Sequence, residues 1–207
     1  MEFVAVDAPP LLARSATSLR AVARHVAHGS RYPDDAFIVR ARGIEAGGAA
    51  TGRVRTCGTW VDDRVGAQLA AALGESLAMA LRPTFEWYVC RGAFFHTDAH
   101  YADVMFGVWY VDGPPVDIVF ARPGVRLPAR PGSIVVFDPF EVHGVLRSGA
   151  REYVADEYAA SAPSVFAGFE LELSDAVRER FGIVAPPAGA RVVSSNTRVS
   201  AATGSFE

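Results

Sequence analysis

Lysine is absent from this 207-residue chain, so all 20 basic residues are arginine, a bias expected of GC-rich coding as much as of chemistry. Cysteine is nearly absent too. Cys57 and Cys90 are the two present, without C-x-x-C spacing, which excludes a zinc knuckle and a disulfide framework and fits a reducing cytosol. No stretch reaches the roughly 18 uninterrupted apolar residues of a membrane span. The opening Met1-Glu2-Phe3-Val4-Ala5-Val6-Asp7 carries acids where a secretory leader needs bases. The net charge of −3, with no basic cluster, argues against a nucleic-acid partner. These absences predict a cytoplasmic protein with neither membrane nor nucleic acid as its partner.

What remains is a chain rich enough in apolar residues, 50% of the total, to bury a real core. The sequence predicts one domain over 1–185 and a Pro, Gly, Ser and Ala-rich tail over 186–207. Within the domain we expect helical and strand decoration over 1–83, a β core over 84–158 and a C-terminal helix region over 164–183. Leu19, Val22, Ala23 and Val26 stand at helical spacing between Ser18 and His28, predicting a surface helix on which His25 and His28 form a solvated face. Residues 36–42 and 52–61 read as short strands around a turn at Gly47-Gly48. Asp62-Asp63 is placed to cap a helix over 64–81 whose apolar stripe is Val65, Leu69, Ala72, Leu73, Leu77 and Leu81.

From Thr84 to Tyr158 the pattern changes to short apolar runs over 85–95, 104–111, 116–120, 133–137, 142–146 and 152–155. Turn residues such as Asp112-Gly113-Pro114-Pro115, Arg130-Pro131-Gly132 and Ser148-Gly149 separate them. This punctuation predicts a mainly β fold with flanking helices, built as a sandwich or barrel such as a jelly roll. A further short helix is expected over 174–181.

One motif in this pattern carries chemistry. His96-Thr97-Asp98 closes the first apolar run, and in an extended strand the side chains at i and i+2 share a face. His143, at the end of a later run, is the candidate third ligand. Two imidazoles and a carboxylate with open positions suit non-haem Fe(II). A lone carboxylate at the end of an apolar strand is costly to bury unless it is paired, bonded or coordinated. His100 shares the parity of His96 and Asp98, but Asp98-Ala99-His100-Tyr101-Ala102-Asp103 reads as a loop, so we expect His100 to be a pocket residue.

Phe94-Phe95-His96-Thr97-Asp98, followed by Pro131-Gly132-Ser133-Ile134-Val135-Val136-Phe137-Asp138-Pro139-Phe140 and His143-Gly144-Val145, resembles the core of the Fe(II)/2-oxoglutarate-dependent dioxygenases, most closely their prolyl-hydroxylase-like branch. The resemblance covers about a third of the chain, 85–158. It implies a double-stranded β-helix core of the jelly-roll, cupin-like kind, with His96, Asp98 and His143 as iron ligands. It also implies 2-oxoglutarate and O2 as co-substrates, release of succinate and CO2, and hydroxylation of a substrate carbon.

In that superfamily a basic residue after the second histidine binds the far carboxylate of 2-oxoglutarate, a role that suits a permanently charged, bidentate arginine. Arg151 is the first candidate, with Tyr153 beside it by strand parity, although the spacing from His143 is shorter than is usual. Arg147, Arg91 and Arg122 remain alternatives. Tyr88 shares parity with His96, provided that no bulge intervenes at Gly92, and is a candidate donor to the same carboxylate.

The aromatic supply of Phe94, Phe95, Tyr101, Phe106, Trp109, Tyr110, Phe120, Phe137 and Phe140 suits a mainly apolar pocket, while a jelly roll also needs such residues between its sheets. The expected substrate is a small molecule, an amino acid or a secondary-metabolism intermediate, with a peptide or protein side chain second. Two rival readings are a cupin-like metalloenzyme, an isomerase or hydrolase without 2-oxoglutarate, and a barrel that binds without catalysis.

Overall fold

The computed structural model describes residues 23–27, 29–45, 49–121, 125–185, 188–189, 192–194 and 196–207. Its ten described strands are β1 (Ala23–Ala27), β2 (Thr51–Gly52), β3 (Arg55–Trp60), β4 (Phe85–His96), β5 (Val104–Asp112), β6 (Val116–Phe120), β7 (Arg126–Ala129), β8 (Ile134–Phe137), β9 (His143–Arg147) and β10 (Ser164–Glu172). The helices are α1 (Asp35–Glu45), α2 (Asp63–Leu73), α3 (Glu75–Ala78) and α4 (Asp175–Phe181). No described helix is long and apolar enough to cross a membrane.

The strands form two sheets joined through β4. In the first the order is β1-β8-β5-β10-β4, with β3 beyond; in the second it is β4-β9-β6-β7, with β2 alongside β4. Residues 86–90 of β4 pair with β10, whereas Ala93 and His96 pair with β9. Gly92, at φ 64°, is the corner. A side chain there would be strained, and its Cβ would lie 2.5 Å from the Tyr158 ring. This antiparallel order is the double-stranded β-helix of a cupin-like jelly roll.

Alternation along the strands explains their nearly unbroken apolar runs, because both faces of the first sheet are covered. Phe85, Trp87, Val89, Trp109, Ile134, Val136 and Phe169 face a layer that includes Phe37, Val65 and Leu69 of the helices. Tyr88, Phe106, Val108, Val135, Phe137 and Phe166 face the barrel interior, where they meet Ile118 and Val145 from the second sheet. Each large apolar side chain so buried contributes about 1.5–3 kcal/mol.

Several sequence expectations need correction. The helix expected over 18–28 is, over its described residues 23–27, the strand β1 paired to β8. Residues 18–22, His28, the side chain of His25 and the Gly47-Gly48 turn lie outside the described residues. The strand expected over 36–42 is helix α1, capped by the Asp34 carboxylate accepting from Phe37 N at 2.9 Å. Asp62 does cap α2, but Gly74, at φ 81°, ends it and starts α3, so 64–81 is not one helix. The run over 152–155 is not a strand; a short 3-10 turn spans Ala155–Glu157. Strands β7 and β10 were unforeseen. β10 sits between β5 and β4, so the sheet takes in β1 and β10 from outside 84–158.

Candidate metal centre

β4 ends at His96 and β9 begins at His143, and these two residues are partners in the ladder between the strands. Asp98 follows the end of β4. Its backbone N–H donates to the Pro139 carbonyl at 2.9 Å, so the loop carrying the carboxylate is tied to the turn that leads into His143. That turn is itself fixed by the Asp138 carboxylate, which accepts from Phe140 N at 3.0 Å. The two imidazoles and the carboxylate offer ligand atoms that all lie within 4.8 Å of one another. His96 Nε2 is 3.8 Å from Asp98 Oδ1, and His143 Nε2 is 3.5 Å from Asp98 Oδ2.

The protonation of both rings is set by the backbone. His96 Nδ1 lies 2.8 Å from the Phe94 carbonyl oxygen, and His143 Nδ1 lies 2.8 Å from that of Glu141. A carbonyl only accepts, so each Nδ1 carries hydrogen and, in the neutral ring, each Nε2 presents its lone pair toward Asp98. This is the orienting hydrogen bond that metal-ligating histidines ordinarily make. Burial lowers the His96 pKa, helped by the neighbouring His143 charge, against the opposing pull of Asp98. For Asp98, burial acts to raise the pKa, but when the imidazoles are protonated the hydrogen bond from His143 Nε2–H and the charges of His143 and His96 outweigh it and hold the carboxyl below its usual range. The donor set of two neutral nitrogens and an anionic oxygen fits a divalent cation of intermediate hardness.

The cluster opens onto a cavity of about 240 Å³ inside the barrel. Val108, Ile118, Phe137, Val145 and Phe166 supply its apolar wall, and Thr56, Tyr88, His100 and Tyr101 its polar groups. His100 therefore lines the pocket and stands outside the ligand cluster, its ring tilted against that of Tyr101 with centroids 4.2 Å apart. Of the aromatics expected at the mouth, Tyr101, Phe106 and Phe137 line the cavity. Phe95 packs on the outer face of the second sheet, and Trp109 faces the helices. Val199 of the tail packs against the cluster of Phe95, Val119, Val142 and Leu146, and Ala201 O accepts from Phe95 N at 3.0 Å, so this part of the tail braces the back of β4.

No arginine lines the cavity among the described residues. Arg151 is exposed. Tyr153 packs against Phe94 and stacks on Tyr158 at 4.9 Å. Arg147 is exposed and bonded to Glu157, Arg91 donates to the Ala49 carbonyl at 3.3 Å, and Arg122 lies outside the described residues. Tyr88 does reach the cavity, despite the corner at Gly92, because residues 86–90 keep their alternation. Its hydroxyl donates to Glu86 Oε2 at 2.6 Å and lies 3.3 Å from the Tyr101 hydroxyl. The signal for Glu86 in the sequence is its position two residues before Tyr88, which places it on the same strand face.

No family model matches the chain, and no curated protein matches it in sequence. Among solved structures, it is similar to a Cupin 2 conserved barrel domain protein from Salinispora arenicola CNS-205, at 14% identity over 62% of this chain and 81% of that one, with a TM-score of 0.31. It is also similar to an oxidoreductase of the 2OG-Fe(II) oxygenase family from Burkholderia pseudomallei, at 13% identity over 55% of this chain and 54% of that one, with a TM-score of 0.33. The fold assignment rests on the strand order itself.

Proposed function

We propose that this protein is a mononuclear non-haem iron oxygenase that oxidises a small, largely apolar molecule held in the barrel. The observation that carries this reading is the convergence of two lone-pair-bearing Nε2 atoms and one carboxylate on the wall of an apolar cavity. His96, Asp98 and His143 would hold Fe(II), which when bound supplies the capacity to activate O2. The chain's own contribution is to fix the imidazole tautomers through Phe94 O and Glu141 O, to present the carboxylate from a loop tied to Pro139, and to exclude water with Phe137, Ile118, Val145 and Phe166. The volume of about 240 Å³ favours a small molecule over a protein side chain carried on its backbone.

The described residues fit the metal, but they do not fit 2-oxoglutarate in the way that the sequence resemblance implies. The far carboxylate needs a cation, and Arg151, Arg147 and Arg91 all lie elsewhere. That observation favours the second reading, a cupin-like metalloenzyme that works without 2-oxoglutarate.

Anaerobic reconstitution tests both readings. One equivalent of Fe(II) should bind, as measured by elemental analysis after desalting, and Asp98→Ala should abolish it; failure of the wild type to retain iron would remove the oxygenase reading. A weak visible charge-transfer band on adding 2-oxoglutarate would restore that co-substrate, whereas its absence at saturation would select the second reading.

A further inference from the structure

The polar groups of the cavity form a hydrogen-bonded series that runs in one direction. Tyr101 sits beside the candidate metal ligands, its backbone N–H donating to the Asp98 carbonyl oxygen at 2.9 Å. Its hydroxyl lies 3.3 Å from that of Tyr88, and the Tyr88 hydroxyl donates to Glu86 Oε2 at 2.6 Å. A phenol has one proton. That of Tyr88 is committed to Glu86, so Tyr88 accepts from Tyr101, and the oxygens of both phenols offer lone pairs to anything between them and the metal site.

The charge behind this series has the same sense. Glu86 ends it with a carboxylate, and no arginine lines the cavity among the described residues. Arg82, which lines a neighbouring cavity with Glu86 and Tyr88, is bound to Glu170 at 2.7 Å. Gly168 fixes the position of the Tyr88 ring, since any Cβ there would lie 2.1 Å from a ring carbon. The acceptor wall is therefore built into the fold.

We infer that this cavity selects a ligand with an apolar body and a hydrogen-bond donor, hydroxyl or amine, on the side facing Tyr88 and Tyr101, and that it disfavours a carboxylate there, 2-oxoglutarate included. The inference rests on the metal-centre reading above, because the ligand is placed between the metal and the tyrosines. A carboxylate would meet phenol lone pairs backed by the Glu86 charge, whereas an ammonium or hydroxyl group would donate to them. Like charges brought together at low dielectric cost a large fraction of a binding energy.

Three catechols that share one chelating group and differ in the tail provide the test: 4-(2-aminoethyl)catechol, 4-(2-hydroxyethyl)catechol and 3,4-dihydroxyphenylacetate. Their affinities for the Co(II)-loaded protein are measured by isothermal titration calorimetry. The amine and hydroxyl tails should bind roughly tenfold or more tightly than the carboxylate tail, and Glu86→Gln should narrow that ratio several-fold. Tyr88→Phe should narrow it as well. Equal or tighter binding of the carboxylate tail overturns the inference, as does a ratio that Glu86→Gln leaves unchanged. Failure of Co(II) to bind at all overturns the metal-centre reading and the inference with it, so the two failures are told apart by the metal titration that precedes the catechols.

Discussion

His96 and His143 face each other across the antiparallel ladder of β4 and β9, with ring centroids 4.6 Å apart, and each places its Nδ1 2.8 Å from the carbonyl two residues earlier in the chain. The same local device acts twice, so both rings are oriented by their own strand segments before any metal arrives. Only the carboxylate comes from a loop, and that loop is bonded to the turn before His143.

Asp98 is thus the most exposed part of the arrangement to substitution. Asp98→Ala should lower Fe(II) or Co(II) affinity by more than about a hundredfold, because removing a ligand costs at least as much as removing its supporting hydrogen bond. Calorimetric metal titration measures this. Retention of wild-type affinity would place the metal elsewhere.

The direction of pH dependence follows from His96. Its folded pKa lies below the ordinary 6.5, so folding favours the neutral ring. Its contribution to stability is complete above the unfolded value and is lost as pH falls through the lowered folded value. Metal ligation needs the same neutral ring, so metal affinity should be level above pH 6.5 and should decline in acid, as read by metal titration across pH.

Gly168 provides a packing test. In Gly168→Ala the new Cβ would meet the Tyr88 ring at 2.1 Å, an overpacking expected to cost about 1–3 kcal/mol. Urea denaturation should show the loss. The metal titration should stay near wild type, since His143 lies on β9 and His96 on the half of β4 beyond Gly92.

The tail offers a fourth. Gly204 has φ 74°, and a Cβ there would come within 2.8 Å of the Phe95 ring. Gly204→Val should loosen the tail from the second sheet and expose the Phe95 amide, which donates to Ala201 O. Hydrogen exchange in the peptide covering 85–96 should accelerate. Unchanged protection would show that the tail does not brace β4.

The strands of the core were readable because the alternation of side chains reports a sheet with two buried faces, and five of the expected runs coincide with β4, β5, β6, β8 and β9. The ligands were readable for a related reason: a histidine and an acid closing an apolar strand are conspicuous against their surroundings. Where local pattern competed with tertiary pairing, the sequence misled. Residues 23–27 pair with β8, and the apolar run at 36–42 became a helix because Phe37 and Ala41, four apart, bury on one face beneath Trp60, Trp87 and Trp109.

The sequence by itself therefore determined the β core and the types of residue able to bind a metal, since both are written in short-range order along the chain. Only the tertiary structure decided what surrounds that metal. Arg151 lost its expected place because residues 151–154 do not continue as a strand, and Tyr101 gained its place because the fold returns it, 13 residues on, against Tyr88, which Glu86 already neighbours along β4. Charge inside a cavity depends on which side chains face it, and that is a property of the closed barrel rather than of any segment.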